Sequence, residues 1–160
     1  MNQFEACEII RAMVLGCLDP AEPKITTTYT GAGQLAWDDC CGTLVVTPER
    51  IYQSVRFPDE YVDEPLCDPG YWVIDVLISL VRCVPTLTDD GKPPTSAALQ
   101  AAHSAFMIES AAILCCVTGD LPDDEWEQAS VNQQVIGAEG GCIMSETRMK
   151  LGTPAIAWCC

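Results

Sequence analysis

The chain has 160 residues, 49% of them apolar and 19% charged, so it is long enough for one folded domain and too apolar for a disordered one. Eight Lys and Arg stand against 23 Asp and Glu, which gives a formal net charge of −15. A surface of this charge repels phosphate. This charge therefore excludes a nucleic-acid-binding protein whose affinity comes from counterion release, and it argues against docking on an anionic membrane.

Hydropathy along the chain predicts no membrane partner. The longest strictly apolar run, 111–117, is far shorter than the roughly 20 residues that span a bilayer. The first residues, Met1 to Glu5, lack the basic lead-in and apolar block of a secretory leader. We therefore expect the protein to be made in a cytoplasm.

The first half of the chain predicts a helix followed by extended segments. Apolar side chains recur at steps of three and four over 3–18, which is typical of one buried helix face. The β-branched residues of 25–30 and 43–47 predict strands. Pro48 indicates a sheet edge or a bulge, because it has no backbone N–H to donate. A long polar loop is expected at 57–70.

The segment 71–83 predicts a central strand. Read at period two, one of its faces is wholly apolar and the other is mixed. The mixed face carries Tyr71, Val73, Leu77 and Val81.

The second half predicts a long helix and a closing hairpin. After a loop at 84–95, Thr95 or Ser96 is a suitable cap for a helix over about 95–118. Segments 128–136 and 142–151 then read as a hairpin, and 153–160 as a short tail. Three polar residues of the second arm share one face, which we expect to meet water or a partner: Glu146, Arg148 and Lys150.

These elements predict a single α+β domain over 1–160. We expect a mostly antiparallel sheet of about five strands, with the N-terminal helix and the long helix packed on one face. Two helices cannot cover both faces, so the mixed face of 71–83 predicts contact with another subunit. The candidate interface residues are Tyr71, Val73, Leu77, Val81, Trp37, Glu146, Arg148 and Lys150.

The cysteines and the single histidine predict no reaction centre. Eleven cysteines occur, three times as vicinal pairs and never as Cys-x-x-Cys. Most are expected to be small buried hydrophobes, with a disulfide formed in an oxidising medium or a metal site as the alternatives. His103 is expected at the solvent edge of the long helix. We assign no catalytic, cofactor or metal residue and expect no enzyme.

Several segments together resemble the head-to-tail connection proteins of long-tailed phages that infect actinobacteria, most of all the tail terminators. The similarity covers roughly residues 30–152. It is carried by GQLAWDDCCGTL at 33–44, Phe57-Pro58, Cys67, WVIDV at 72–76, RCVPTL at 82–87, PTSAAL at 94–99 and VIGAEGGC at 135–142.

The resemblance implies a fold like that of lambda-type tail terminators, with a leading helix, a hairpin-rich sheet, a helix across it and a closing hairpin. It also implies a hexameric ring in the virion that caps the tail tube and joins it to the head connector or stopper. DNA would pass through an acidic channel without specific binding, and loops 57–70 and 84–95 would contact neighbouring rings. The adjoining stopper or tail-completion protein is the alternative within this group. A small cytosolic metal or redox protein built on the vicinal cysteines is the alternative of another class.

Overall fold

The computed structural model describes residues 3–18, 24–31, 42–60, 70–119, 121 and 126–154. Within these ranges the elements, in chain order, are α1 (Gln3–Leu18), β1 (Thr27–Thr30), β2 (Thr43–Ser54), β3 (Tyr71–Cys83), α2 (Ser96–Thr118), β4 (Glu127–Glu139) and β5 (Cys142–Pro154).

The five strands form one sheet in the order β1-β2-β3-β5-β4. All neighbours are antiparallel except the short parallel pair β1–β2. The long strand β3 pairs with β5 along its whole length and with β2 from Tyr71 to Val81, which confirms the predicted central strand. The predicted α+β class with a mostly antiparallel sheet is therefore correct.

Both helices pack on the same face of the sheet. The wholly apolar side of β3, from Ile74 to Leu80, lies in one cluster with side chains of α1 and α2. Ile10 of α1 and Phe106 and Ile113 of α2 are at most 2% exposed in this cluster. Burial of such side chains is the main favourable term in folding, so this layer defines the core.

Element boundaries differ from the predicted ones at a few places. β2 runs without a break from Thr43 to Ser54, with an irregular register between Pro48 and Arg50 where a bulge was expected. β5 extends to Pro154, so 153 and 154 belong to the sheet rather than to a tail. Loop 84–95 lacks regular structure, as predicted, whereas 61–69 of the other predicted loop lie outside the described residues.

A buried ion pair fixes α2 across the sheet. Arg82, next to the end of β3, donates to both carboxylate oxygens of Glu109 in the middle of α2, over 2.7 and 2.9 Å. Both side chains are at most 7% exposed. Arg82 also reaches the carbonyl oxygen of Lys24 at 3.4 Å. A buried charge is tolerated when it is paired and fully hydrogen-bonded, so this contact dictates which side of α2 faces the sheet.

A disulfide between Cys17 and Cys116 joins the last turn of α1 to the last turns of α2. Cys83 and Cys142 are also disulfide-bonded, so four of the six cysteines in the described part of the chain are oxidised. The expectation that most thiols are small buried hydrophobes is wrong there, because Cys7 alone among these six is both free and buried.

We expect Glu109→Gln to lower the free energy of unfolding by about 3 kcal/mol, because Arg82 would stay buried without its counter-charge. Glu8→Gln is the control, since it removes the carboxylate of the half-buried Glu8–Arg11 pair on α1, which keeps more contact with water than the Arg82–Glu109 pair. Urea denaturation monitored by circular dichroism measures both variants. Equal losses in the two variants would contradict the assigned role of the buried pair.

The Cys17–Cys116 bond closes a loop across a sequence separation of 99 residues. Removing such a cross-link raises the entropy of the unfolded chain, so we expect Cys17→Ser to cost about 4 to 5 kcal/mol of stability under oxidising conditions. Cys115→Ser, at the neighbouring exposed free cysteine, should cost far less. In excess dithiothreitol, Cys17→Ser should melt at the wild-type temperature. A difference that persists after reduction would disprove the cross-link explanation.

Candidate interaction surfaces

The helix-free face of the sheet brings together most of the interface residues predicted from sequence. The register of β3 and β5 places Leu77 opposite Arg148, and Asp75 opposite Lys150. Glu146 lies two residues further along the same face, opposite Ser79. Period-two alternation in β5 predicted this grouping. Ser145, Thr147 and Met149 alternate with these residues along β5 and are buried, which confirms that the other side of β5 faces the core.

Asp75 is the centre of a charge network on this face. The Arg50 guanidinium donates to its Oδ2 at 3.0 Å, and the Lys150 ammonium lies 3.7 Å from its Oδ1. Arg50 also pairs with Glu60 at 2.6 Å. One carboxylate in β3 thus holds two cations, one from each neighbouring strand.

Tyr52 of β2 completes this network. Its hydroxyl accepts a hydrogen bond from Lys150 Nζ at 2.9 Å and donates to the carbonyl of Pro58 at 3.1 Å. The Arg50 guanidinium lies 4.6 Å from the ring centre, a cation–π distance. The hydrogen bond to Tyr52 raises the pKa of Lys150, and the hydrogen bond to Asp75 raises the pKa of Arg50. Both groups therefore stay charged over the whole physiological pH range.

Arg148 forms a second charge cluster beside the first. It lies 2.8 Å from Glu146 and 3.5 Å from Glu49. Gln134 of β4 donates to the same Glu146 at 2.7 Å. The cations of the helix-free face are therefore matched by acids, and they are not free to bind phosphate.

The apolar part of this face is already partly covered by the chain itself. Val73 and Val81 are 0% and 1% exposed, whereas Tyr71 and Leu77 are half-buried. The Phe57 ring packs against Gly152, which is opposite Val73, so closely that a Cβ there would clash with it. The apolar pattern of 71–83 predicted an open strand face, but folding of the chain after β2 closes one end of it.

Trp37, the remaining predicted interface residue, lies outside the described residues. Contact of Tyr71, Val73, Leu77 and Val81 with another subunit therefore stays a prediction. Its physical basis is now weaker for Val73 and Val81, since a neighbour would gain little by contacting side chains that are already buried.

A second surface, on the outer side of α2, was not singled out from the sequence. Met107 is 51% exposed and Ile108 71% exposed. The one charged residue among the 23 of this helix is Glu109, which is buried against Arg82. His103 is exposed, as expected. The sequence does carry a signal for this surface, namely the composition of α2, because a helix that is apolar nearly all round is typical of a buried helix and not of a surface helix.

By length and composition, Ser96–Thr118 could cross a membrane, although 28% of its apolar window is buried within the described fold. The strictly apolar run 111–117 is too short to indicate a membrane span, because the apolar residues of this helix are interrupted by polar ones. The inner side of the helix is held by the Arg82–Glu109 pair and the Cys17–Cys116 bond. Crossing a bilayer would require both helix–sheet and helix–helix packing to be given up.

Within the described residues, no three His, Cys, Asp or Glu side chains lie together in a way that could hold a metal ion. Burial raises the pKa of the Cys7 thiol to about 12, with a smaller contribution from the charge of Glu8. A thiol with such a pKa is a poor nucleophile at neutral pH, since the thiolate is the reactive form.

The sequence matches no protein-family model, and no curated protein is significantly similar to it.

We expect iodoacetamide to modify Cys115 in the native, dilute protein and to leave Cys7 unmodified until the protein unfolds. Exposure and burial of the two thiols, together with the raised pKa of Cys7, give this order. Peptide mass spectrometry before and after denaturation in guanidinium chloride measures it. Fast native labelling of Cys7 would contradict the structure and would favour the redox-protein alternative.

Proposed function

We propose that this chain is a structural subunit of the neck of a long-tailed phage, most like a tail terminator. In this proposal it forms a ring that caps the tail tube and joins it to the head connector. The observation that carries the proposal is the order of elements. A leading helix α1, the sheet, α2 lying across it and the closing hairpin β4–β5 are the arrangement that the sequence resemblance implies.

The segments that carry the resemblance lie at positions that determine this fold. In PTSAAL, Thr95 caps α2 by accepting from the backbone N–H of Ala98 at 3.2 Å. In RCVPTL, Arg82 makes the buried pair with Glu109. In VIGAEGGC, Gly140 and Gly141 form the hairpin turn with positive φ angles that favour glycine. Similarity at these positions therefore supports similarity of the fold.

The charge balance suits a channel through which DNA passes. A ring of six copies would carry six times the net charge of −15, and acids facing the channel would repel the phosphate backbone. On the helix-free face, Arg50, Arg148 and Lys150 are each paired with carboxylates. These cations would therefore not slow the passage of DNA.

The disulfide favours a virion protein over a cytosolic metal or redox protein. Cytosolic thiols are kept reduced, whereas disulfides persist once a protein reaches an oxidising medium. A neck protein is assembled in the host cytoplasm and leaves it with the particle. Closure of Cys17–Cys116 after release would then stabilise the joint between α1 and α2.

The proposal includes the neighbouring stopper and tail-completion proteins as the alternative positions in the same neck. An image of the particle with the protein labelled distinguishes them. A sixfold ring at the tail-tube end identifies the terminator, and a ring on the head connector identifies the stopper.

We expect association of the purified full chain to increase with salt concentration. Copies of the same negative charge repel one another, and the screening length falls from about 10 Å at 0.1 M salt to about 3 Å at 1 M. Multi-angle light scattering across this range should show a mass rising toward that of six chains. Labelled duplex DNA should not bind at any of these salt concentrations.

A chain that stays monomeric at high concentration and high salt, and that is absent from the neck of the particle, would disprove the proposed function. Self-association that weakens with salt would instead indicate that oppositely charged groups of neighbouring copies hold them together, which contradicts the expected repulsion.

A further inference from the structure

We propose that the outer face of α2 is the surface on which a second copy of this chain packs. This inference rests on the proposed ring, because it names the contact between neighbouring subunits. The face, called here the α2 seam, consists of Ala97, Ala101, Ser104, Ile108, Ala111 and Cys115. Met107 lies beside it.

The spacing of the α2 seam is that of a helix-packing surface. Its six members recur at alternating steps of four and three residues, and every one of them is exposed. This alternation keeps side chains on one side of a helix, as in the contact seam of a coiled coil. At 1.5 Å per residue, α2 is about 34 Å long, which is sufficient for an extended helix contact.

Charge decides which kind of partner fits the seam. Two copies that each carry −15 repel one another wherever acids face each other. The seam contains neither acid nor base along 23 residues of helix. The helix-free face instead carries ion pairs such as Arg148–Glu146, and burying these would require them to lose water. The α2 seam can thus be covered by a different surface of the next copy in the ring without a charge on the seam being opposed or desolvated.

The same features disfavour other occupants. A basic partner would find no acid on the seam to pair with. A helix that lies on a membrane surface has a polar face rich in Lys and Arg, and α2 has none of either. The centre of the seam instead offers Ile108, which is 71% exposed, next to the small side chains of Ser104 and Ala111. Such alternation of large and small side chains suits close packing against another protein surface.

The test compares Ile108→Glu with His103→Glu. Both positions are exposed on α2 and both variants add one acid, but His103 lies outside the seam. Sedimentation velocity in high salt should show wild-type association for His103→Glu. For Ile108→Glu we expect association weaker by at least about tenfold, because an acid at the contact would be buried without a partner. The melting curve of dilute Ile108→Glu should match that of the wild type, since the side chain does not contribute to the core.

A second measurement does not depend on a substitution. Cys115 belongs to the seam, so its alkylation by iodoacetamide should slow at least about tenfold in the assembled wild type relative to the dilute chain. Equal rates in the two states would overturn the inference.

The remaining outcomes separate the inference from the proposed function. If Ile108→Glu assembles like the wild type, the seam is not the contact, and the ring proposal stands. If the wild type never assembles, the ring proposal fails, and the inference fails with it. If the wild type binds phosphatidylcholine vesicles and Ile108→Glu does not, while assembly is unchanged, the seam contacts lipid and the inference is overturned.

Discussion

The arrangement of this protein depends on the buried contact between Arg82 and Glu109. The pair places a charge from β3 and a charge from α2 in the interior, where each needs the other. Because Glu109 lies on the same side of α2 as Phe106 and Ile113, the ion pair and the apolar side chains turn that side inward together. Phe106, Ile113 and Val117 then face the core, and the seam around Ile108 faces outward. The Cys17–Cys116 bond fixes the far end of the same helix to α1.

The strong acidity of the chain makes the helix-free face and the outer side of α2 unusual among its surfaces. In a protein of net charge −15, a surface whose charges are paired or absent is notable, and the described part of the chain has two of them. On the helix-free face the cations Arg50, Arg148 and Lys150 of β2 and β5 are paired with Asp75 and Glu146. On the outer side of α2 no charged residue is present. Under the proposed function, such faces would let like-charged copies meet around DNA.

Much of the fold follows from local patterns. Period-two alternation predicted β3 with its exact bounds and the inward side of β5, because a strand with one buried face has no other register available. The missing N–H of Pro48 predicted the irregularity in β2. The hydroxyl of Thr95 predicted the start of α2. Placement of both helices on one face followed from their number alone.

The sequence by itself therefore determined the elements, their order and the α+β class, because these depend on spacing along the chain. Tertiary structure alone decided which surfaces remain open. Apolar spacing along 95–118 already indicates that Phe106, Ile113 and Val117 face inward, but it could not show that Glu109 on the same side would pair with Arg82 of β3. Nor could it show that the chain after β2 would pack Phe57 against Gly152, the strand neighbour of Val73, or that Cys17 would meet Cys116 across a separation of 99 residues. Contacts between residues far apart in sequence depend on the packed geometry, and no local pattern encodes that geometry.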